Sequence, residues 1–310
     1  MPELPEVETV ARGLQGSIAG RRIVSVVLRK TDFIDDPMLL ERELPGRTIE
    51  RIERYGKFML LRLATLQGSD KDVAQALLVH LGMTGNLAPS FAEQPFEKHT
   101  HTAFLLDDGR ELRYTDARRF GRMAFLSGET LAAELQRFGF DPLEVTSKEF
   151  AARIRGSKAR IKALLLDQTV LRGVGNIYAD ESLWRARLHP AKSGARLTPR
   201  EAEGLCKALR AILLKAIALR GSSISDFIDA DGLPGDYQQH HRAYGREGKK
   251  CYRCGTMIKR IIVAGRSSFF CPSCQVAPLR GPRDGRSGGR KRRKKTKRKR
   301  ALRTSNRSNR

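Results

Sequence analysis

The sequence predicts an α+β protein: a leading helix with a β-rich domain, then a helical domain, then a small hairpin pinned by cysteines. Three observations carry that reading. Short segments rich in β-branched residues occupy roughly residues 22–126. Between about 128 and 220 the apolar period changes to 3.6. Two Cys-x-x-Cys pairs then fall within 24 residues.

The leading stretch, PELPEVETVARGLQGSIAG, places Val7, Val10, Leu14 and Ile18 at helical spacing, with Gly20 as a stop. Glu6 and Glu8 suit a helix N-terminus, where the macrodipole favours anions. RRIVSVVLRK, RTIERIERYGKFMLLRLA, ALLVHLGM and TAFLLDDGRELRYT read as strands, with a hairpin turn over 107–109. Such a run of strands closes into a sandwich or a barrel.

In the helical part, TSKEFAARIRG opens on a capping box of Thr146 and Glu149. A longer helix follows, with Thr198 as N-cap, Pro199 at N1, Glu201 at N3 and Gly221 past its end. Cys206 lies on its apolar stripe beside Leu205, Leu209 and Leu213, as a packed core thiol. The Gly/Asp/Ser-rich stretch GSSISDFIDADGLPGDY is long enough to be either functional or disordered.

The 310 residues carry 59 Lys and Arg against 34 Asp and Glu, a net +25. Residues 280–310 alone supply +15, with 16 basic residues against one Asp. A polyanion is the natural partner of such a chain, and nucleic acid is favoured over a merely solubilising role. No apolar run approaches the roughly 18 residues that span a bilayer. The first ten residues show no signal peptide, so a soluble intracellular protein is expected. Five cysteines, four of them clustered, do not fit a secreted disulfide framework.

Three patterns point to chemistry. Cys251 and Cys254, then Cys271 and Cys274 after 16 intervening residues, form a four-thiolate zinc pattern. The segment between reads as two strands around AGR, which puts Arg266 near a hairpin tip. Gly173 and Gly175 precede Asn176 and an apolar helical run; such glycines expose N–H groups able to hold a phosphate, though a tight interhelical turn reads equally well. Finally, removal of the initiator Met leaves Pro2 as a secondary amine, and an α-amino group with a pKa of about 7.7–8.0 is partly neutral at physiological pH. Such an amine attacks an electrophilic carbon to give an iminium ion. Glu3 stands next to it to move protons.

Six longer motifs resemble one family from Met1 to about Gln275: MPELPEVETV, YGKFMLL, HLGMTG, RYTDARRFGR, GVGNIYADE, and YGREGKKCYRC with AGRSSFFCPSC. It is the formamidopyrimidine-DNA glycosylase family. The resemblance implies an N-terminal β-sandwich domain over 1–127 and a DNA-binding domain of helix–two-turns–helix type over 128–240. A four-cysteine finger with one structural zinc follows over 241–276, and a disordered basic tail over 277–310. It implies a bifunctional DNA repair glycosylase and abasic-site lyase that excises oxidised purines from duplex DNA, expected as a monomer. The expected location is the bacterial cytoplasm, at the nucleoid, although the tail would equally resemble a nuclear-localisation signal.

Residue by residue, the resemblance makes Pro2 the nucleophile and Glu3 its acid–base partner. Lys57 would contact the phosphate beside the lesion, with His80, Asn176 and Arg266 as further phosphate contacts. Glu6 would hold the extruded nucleoside, while Met83, Arg118 and Phe120 fill the void it leaves and Arg118 meets the opposing cytosine. Two features depart from the pattern or vary within it: Ala117 stands where Pro is usual, and the capping loop near 222–237 offers no assignable base contacts. His99 and His101, on one face of a strand, read as surface histidines with no metal role. Two alternatives compete: an endonuclease VIII-like enzyme for oxidised pyrimidines, and a catalytically silent zinc-finger DNA-binding protein. Leu4 and the Met83, Arg118, Phe120 trio weigh against the first. The joint presence of Pro2, Glu3, Glu6 and Lys57 weighs against the second.

Overall fold

The computed structural model describes residues 1–64, 73–224 and 227–277. The basic tail beyond Ala277 and positions 225–226 of the capping loop lie outside the described residues.

The first helix, α1 (Leu4–Ile18), buries Val7, Val10, Leu14 and Ile18 as their spacing requires. Gly20, at φ +82°, lets the chain turn away after it. The β-rich part then runs β1 (Ile23–Leu28), α2 (Pro37–Glu43), β2 (Ile49–Tyr55), β3 (Phe58–Leu63), β4 (Gln75–His80), β5 (Gly85–Phe91), β6 (Thr100–Leu106), β7 (Arg110–Asp116) and β8 (Arg122–Ser127). Two four-stranded antiparallel sheets result, ordered β1-β6-β7-β5 and β2-β3-β4-β8. Ile23, Leu87, Phe104 and Tyr114 from one sheet meet Ile49, Leu61, Leu77 and Val79 from the other in a single core, so the arrangement is a sandwich. The turn over 107–109 is present, with Gly109 at φ +81°.

The strand-like reading of 22–126 passes over α2. Its seven residues are too few for a 3.6 period to emerge, and it is defined instead by Pro37 and by the Asp36 carboxylate, which accepts from Leu39 N at 2.9 Å. The unbroken apolar runs of β3 and β4 also have a cause. Leu60, Ala76 and Leu78 face away from the sandwich core and are covered by Leu131 of α3 (Gly128–Gln136). His101 corrects the expectation of surface histidines: it is buried, its Nε2 2.9 Å from the Asp116 carbonyl oxygen.

The helical part continues with α4 (Ser147–Arg155), α5 (Ile161–Leu166), α6 (Asn176–Arg185) and α7 (Pro199–Ala218). Both expected capping boxes form, at Thr146 with Glu149 and Thr198 with Glu201. Phe150, Tyr178, Leu183, Cys206 and Leu213 share one core, and Leu4 of α1 belongs to it rather than to the sandwich core. The first turn of α1 is therefore clamped between the two cores. A two-stranded hairpin, β9 (Lys259–Val263) and β10 (Arg266–Phe270), turns at Ala264 and Gly265, both at positive φ as a tight hairpin turn demands. Among the described residues no helix is long and apolar enough to cross a membrane.

Candidate active site

The chain's first residues are fixed by contacts from the helical part. Leu4 N donates to the Gly173 carbonyl at 3.0 Å. The Glu3 carboxylate accepts from Ile177 N at 3.0 Å and Tyr178 N at 3.3 Å, which are first-turn amides of α6. Such amides carry the positive end of the helix dipole and bind an anion readily. The GVGN turn thus does form an anion site, but Glu3 fills it; those amides are not free for a phosphate. The glycine is needed for this approach, because a Cβ on Gly175 would lie 2.3 Å from the Glu3 carboxyl carbon.

Glu6 is held as closely. One oxygen accepts from Glu3 N at 2.9 Å; the other accepts from Tyr178 Oη at 2.5 Å and Ser222 N at 2.7 Å. Gly221, at φ +80°, admits it, since a Cβ there would fall 2.7 Å from a Glu6 oxygen. The early acids are therefore more than helix-dipole partners: Glu3 and Glu6 are buried, and only Glu8 faces outward, paired with Arg12 and Arg54.

Burial sets the charge balance here. It pushes the Glu6 carboxyl up to about 7, with the neighbouring Glu3 adding to the rise. It also raises Glu3, against the opposing pull of Lys57 and the α6 amides. Lys57 is itself held below the ordinary lysine range, chiefly by burial, with Glu3 opposing and Arg266 reinforcing the shift. The charged forms of two acids and a base are thus all penalised within one site, a pattern typical of groups that move protons.

These groups open on a cavity of about 380 Å³. Its wall brings together Pro2, Glu3, Glu6, Lys57, Met83, Asn176 and Arg266 among the residues singled out from sequence, with Ile224, Phe227 and Tyr244 alongside. His80, Arg118 and Phe120 are not part of that wall. His80 packs on Phe58 with ring centres 4.8 Å apart and accepts from Gly82 N at 3.1 Å. Burial, with Lys57 and Arg122 nearby, pushes its pKa down to about 4, so it is neutral at physiological pH.

Met83, Arg118 and Phe120 form a separate group at the cavity edge, where Met83 lines the wall. Arg118 Nη1 is 3.2 Å from the Met83 sulfur, and its guanidinium lies 4.5 Å from the Phe120 ring centre. Met83 is 41% and Phe120 57% exposed, so neither is a core residue. The loop carrying them is built on buried Asp116, which accepts from Thr84 Oγ1, Arg118 N, Gly121 N and Tyr114 Oη. Those bonds hold the loop despite Ala117 in place of Pro.

Three positions matter here that the sequence reading did not single out. Lys162 and Asp180 form a fully buried ion pair at 2.7 Å. Lys162 Nζ also donates to Ser267 O at 2.7 Å, and Asp180 accepts from Phe269 N at 2.9 Å, so the pair grips β10 directly behind Arg266. Glu181, equally buried, accepts from the amides of Arg242, Ala243 and Tyr244, which lead into the finger. For Asp180 and Glu181 the sequence signal was an acidic pair in the middle of α6; Lys162 left none.

The sulfurs of Cys251, Cys254, Cys271 and Cys274 all lie within 4.8 Å of one another, at one end of the β9–β10 hairpin. Four thiolates at about 2.3 Å from a tetrahedral ion need mutual distances of about 3.8 Å, so the set fits one zinc. Trp184 Nε1 and Arg253 N point at the Cys251 sulfur, at 3.4 and 3.5 Å, and would stabilise thiolate charge.

Known proteins match along nearly the whole described chain. Residues 1–123 match the formamidopyrimidine-DNA glycosylase N-terminal domain, 138–228 its H2TH domain, and 248–276 the zinc finger found in FPG and IleRS. A formamidopyrimidine-DNA glycosylase of Herpetosiphon aurantiacus is 42% identical over 281 residues, covering 89% of this chain and all of that protein. One from Solibacter usitatus is 44% identical over 277 residues, covering 89% and 99%. The Lactococcus lactis Fpg, solved in complex with an abasic site containing DNA, superposes with a TM-score of 0.81 at 36% identity, covering 89% of this chain and all of that one. The buried Glu3, Glu6 and Lys57 around Pro2, the four-cysteine hairpin and these end-to-end matches agree: the chain belongs to the formamidopyrimidine-DNA glycosylase family.

Proposed function

We propose that this protein is a bifunctional DNA repair glycosylase and abasic-site lyase acting on oxidised purines in duplex DNA, with Pro2 as nucleophile. The observation that carries the reading is the placement of Pro2 in one cavity with Glu3, Lys57 and Arg266. After Met1 is removed, the Pro2 amine attacks C1′ of a nucleotide extruded from the duplex. The bond from C1′ to the base breaks as the base leaves with a proton. Ring opening gives an iminium ion that draws electrons from C2′, so the 3′ phosphate and then the 5′ phosphate are eliminated. Glu3, fixed by the α6 amides and pushed toward its neutral form by burial, is suited to give and take the protons.

Lys57, Asn176 and Arg266 present donors to the same cavity, a chemistry suited to the phosphates flanking an extruded nucleotide. His80, neutral and adjacent to Lys57, adds a further contact. Glu6, on the same cavity wall, holds the extruded nucleoside. Met83 and Phe120 occupy the space left in the stack, with Arg118 facing the orphaned cytosine. One zinc at the four cysteines fixes the hairpin that carries Arg266. The bacterial sources of the relatives support a cytoplasmic, nucleoid-bound location.

The test is retention of Met1. A chain shown by mass spectrometry to keep Met1 should bind DNA and hold zinc but release no base. Undiminished excision by that form would remove Pro2 from the mechanism.

A further inference from the structure

His241 is not part of the cavity wall, but it holds a residue that is. Its Nε2 is 3.1 Å from the Ser222 hydroxyl oxygen, and both residues are buried. Ser222 lines the cavity, and its amide donates to Glu6 at 2.7 Å. It also begins the capping loop, whose two ends meet at this point. Ser222 bridges to Asp236, Tyr237 N donates to Gly221 O at 2.9 Å, and Ser223 N donates to Gln238 Oε1 at 3.0 Å. Of the three donors on Glu6 among the described residues, Glu3 N is at the head of its own helix and Tyr178 Oη comes from α6. The Ser222 amide is the one donor that comes from the loop, so that bond carries the loop's position to Glu6.

The imidazole is itself fixed on two sides by aromatic rings. Its centre lies 5.7 Å from that of Tyr237 and 5.6 Å from that of Tyr244, with interplanar angles of 62° and 84°. Tyr237 packs on Tyr178, at 5.6 Å, whose hydroxyl donates to Glu6. Tyr244 lines the cavity and packs on Phe269 of β10, at 5.4 Å. The row of rings thus runs from the Glu6 side of the cavity to the hairpin that carries Arg266, with His241 in its middle. Burial, with Arg246 and His240 adding to it, pushes the His241 pKa down to about 4, so the ring is neutral at physiological pH. A neutral imidazole has one nitrogen that donates and one that accepts, and a hydroxyl does both, so either tautomer makes the bond to Ser222.

We propose that His241 is a positioning residue for base excision: it pins the Ser222 side chain, and through it keeps the Ser222 amide on Glu6 and the root of the capping loop against the extruded nucleoside. This rests on the glycosylase reading above. Without the imidazole, the Ser222 hydroxyl is free to turn among its staggered rotamers and the loop root loses its side-chain anchor. Glu6 then keeps its two helix-borne donors but loses a fixed third. A shift of this kind near reacting groups slows chemistry far more than it weakens binding.

The experiment compares the full chain with His241→Phe, His241→Gln, Ser222→Ala and the double variant of His241→Phe with Ser222→Ala. Phe keeps a ring between Tyr237 and Tyr244 but cannot bond to Ser222, whereas Gln places a polar atom near the position of Nε2. Single-turnover excision from a duplex carrying 8-oxoguanine opposite cytosine, at saturating enzyme, should slow on the order of 10-fold in His241→Phe and recover in His241→Gln. Ser222→Ala should slow it as much, and the double variant no further, because both changes break one link. Exchange of the Ser222 amide, read by NMR in the free protein, should speed up about fivefold in His241→Phe. Zinc content and affinity for undamaged duplex should hold. A wild-type rate or unchanged Ser222 exchange in His241→Phe overturns the proposal, as do multiplicative losses in the double variant or a fall in zinc or undamaged-duplex affinity that accompanies the slower rate. Should His241→Phe not fold, Ser222→Ala decides: unchanged amide exchange or an unchanged rate there overturns the proposal. If the full chain itself releases no base, the glycosylase reading fails, while the Ser222 exchange still decides whether His241 holds the loop root.

Discussion

Tyr178 reaches from α6 to Glu6 on α1 and donates a 2.5 Å hydrogen bond to its carboxylate, with both residues buried. The bond joins the helical core to the sandwich at the wall of the catalytic cavity. Tyr178→Phe keeps the ring but leaves Glu6 one donor short. A hydrogen bond to a charged group contributes about 1.5–3 kcal/mol, and denaturant titration at pH 8 should show a loss of that size. Affinity for undamaged duplex should hold while the single-turnover rate falls. Wild-type stability and rate in the variant would mean that the hydroxyl does not support Glu6.

Glu6 also predicts a pH dependence. Its pKa is raised from an ordinary 4.5 to about 7 in the fold. Below pH 4.5 the group is neutral whether folded or unfolded, and its burial carries no charge penalty. As pH rises through that window the unfolded chain ionises first, so stability falls until about pH 7 and then levels. A shift of about 2.5 units corresponds to roughly 3 kcal/mol. Glu6→Gln removes this dependence. The melting temperature of the variant relative to wild type should climb between pH 5 and 8, and a flat difference would contradict the assignment.

Lys162→Met leaves Asp180 buried without its partner. Breaking such a pair costs about 3–5 kcal/mol. Because the pair also grips Ser267 and Phe269, the hairpin should loosen and Arg266 lose its place. Hydrogen exchange should speed up in β10 while the sandwich strands stay protected. Unchanged protection at Phe269 would show that the pair does not position the hairpin.

Cys271→Ser removes one of four thiolates from a closed site, and a structural zinc needs them all. Zinc content by mass spectrometry should fall from one per chain toward zero. Affinity for a lesion duplex should fall with it, and the sandwich core should remain folded. Stoichiometric zinc with full affinity would mean that the metal is held elsewhere.

How much of this was legible follows from the kind of signal each part leaves. The stripe of α1, the capping boxes at Thr146 and Thr198, the turns at 107–109 and 264–265 and the cysteine pairs are local, and local chemistry determines them. The short helix α2 left no periodic trace. Met83 and Phe120 stood out only through the family resemblance; their exposure is a property of the loop built on Asp116. Burial of Glu3, Glu6, Lys162, Asp180 and Glu181 is likewise tertiary. Each is a charged residue that would ordinarily face solvent, enclosed here because α6 packs against α5 and β10 and bonds to Glu3 and Glu6. The same packing explains why the GVGN turn, which read equally well as a phosphate site or a tight interhelical turn, holds the Glu3 carboxylate.

The central claim is a covalent bond between the Pro2 amine and the sugar C1′. Sodium borohydride reduces an iminium to a stable amine, and so traps that bond. With a duplex carrying 8-oxoguanine opposite cytosine, the mature chain should give a cross-linked product whose peptide map places the adduct on Pro2. An oxidised-pyrimidine duplex in parallel should trap less. Base release without any trapped complex, or an adduct mapped to Lys57, would contradict the account.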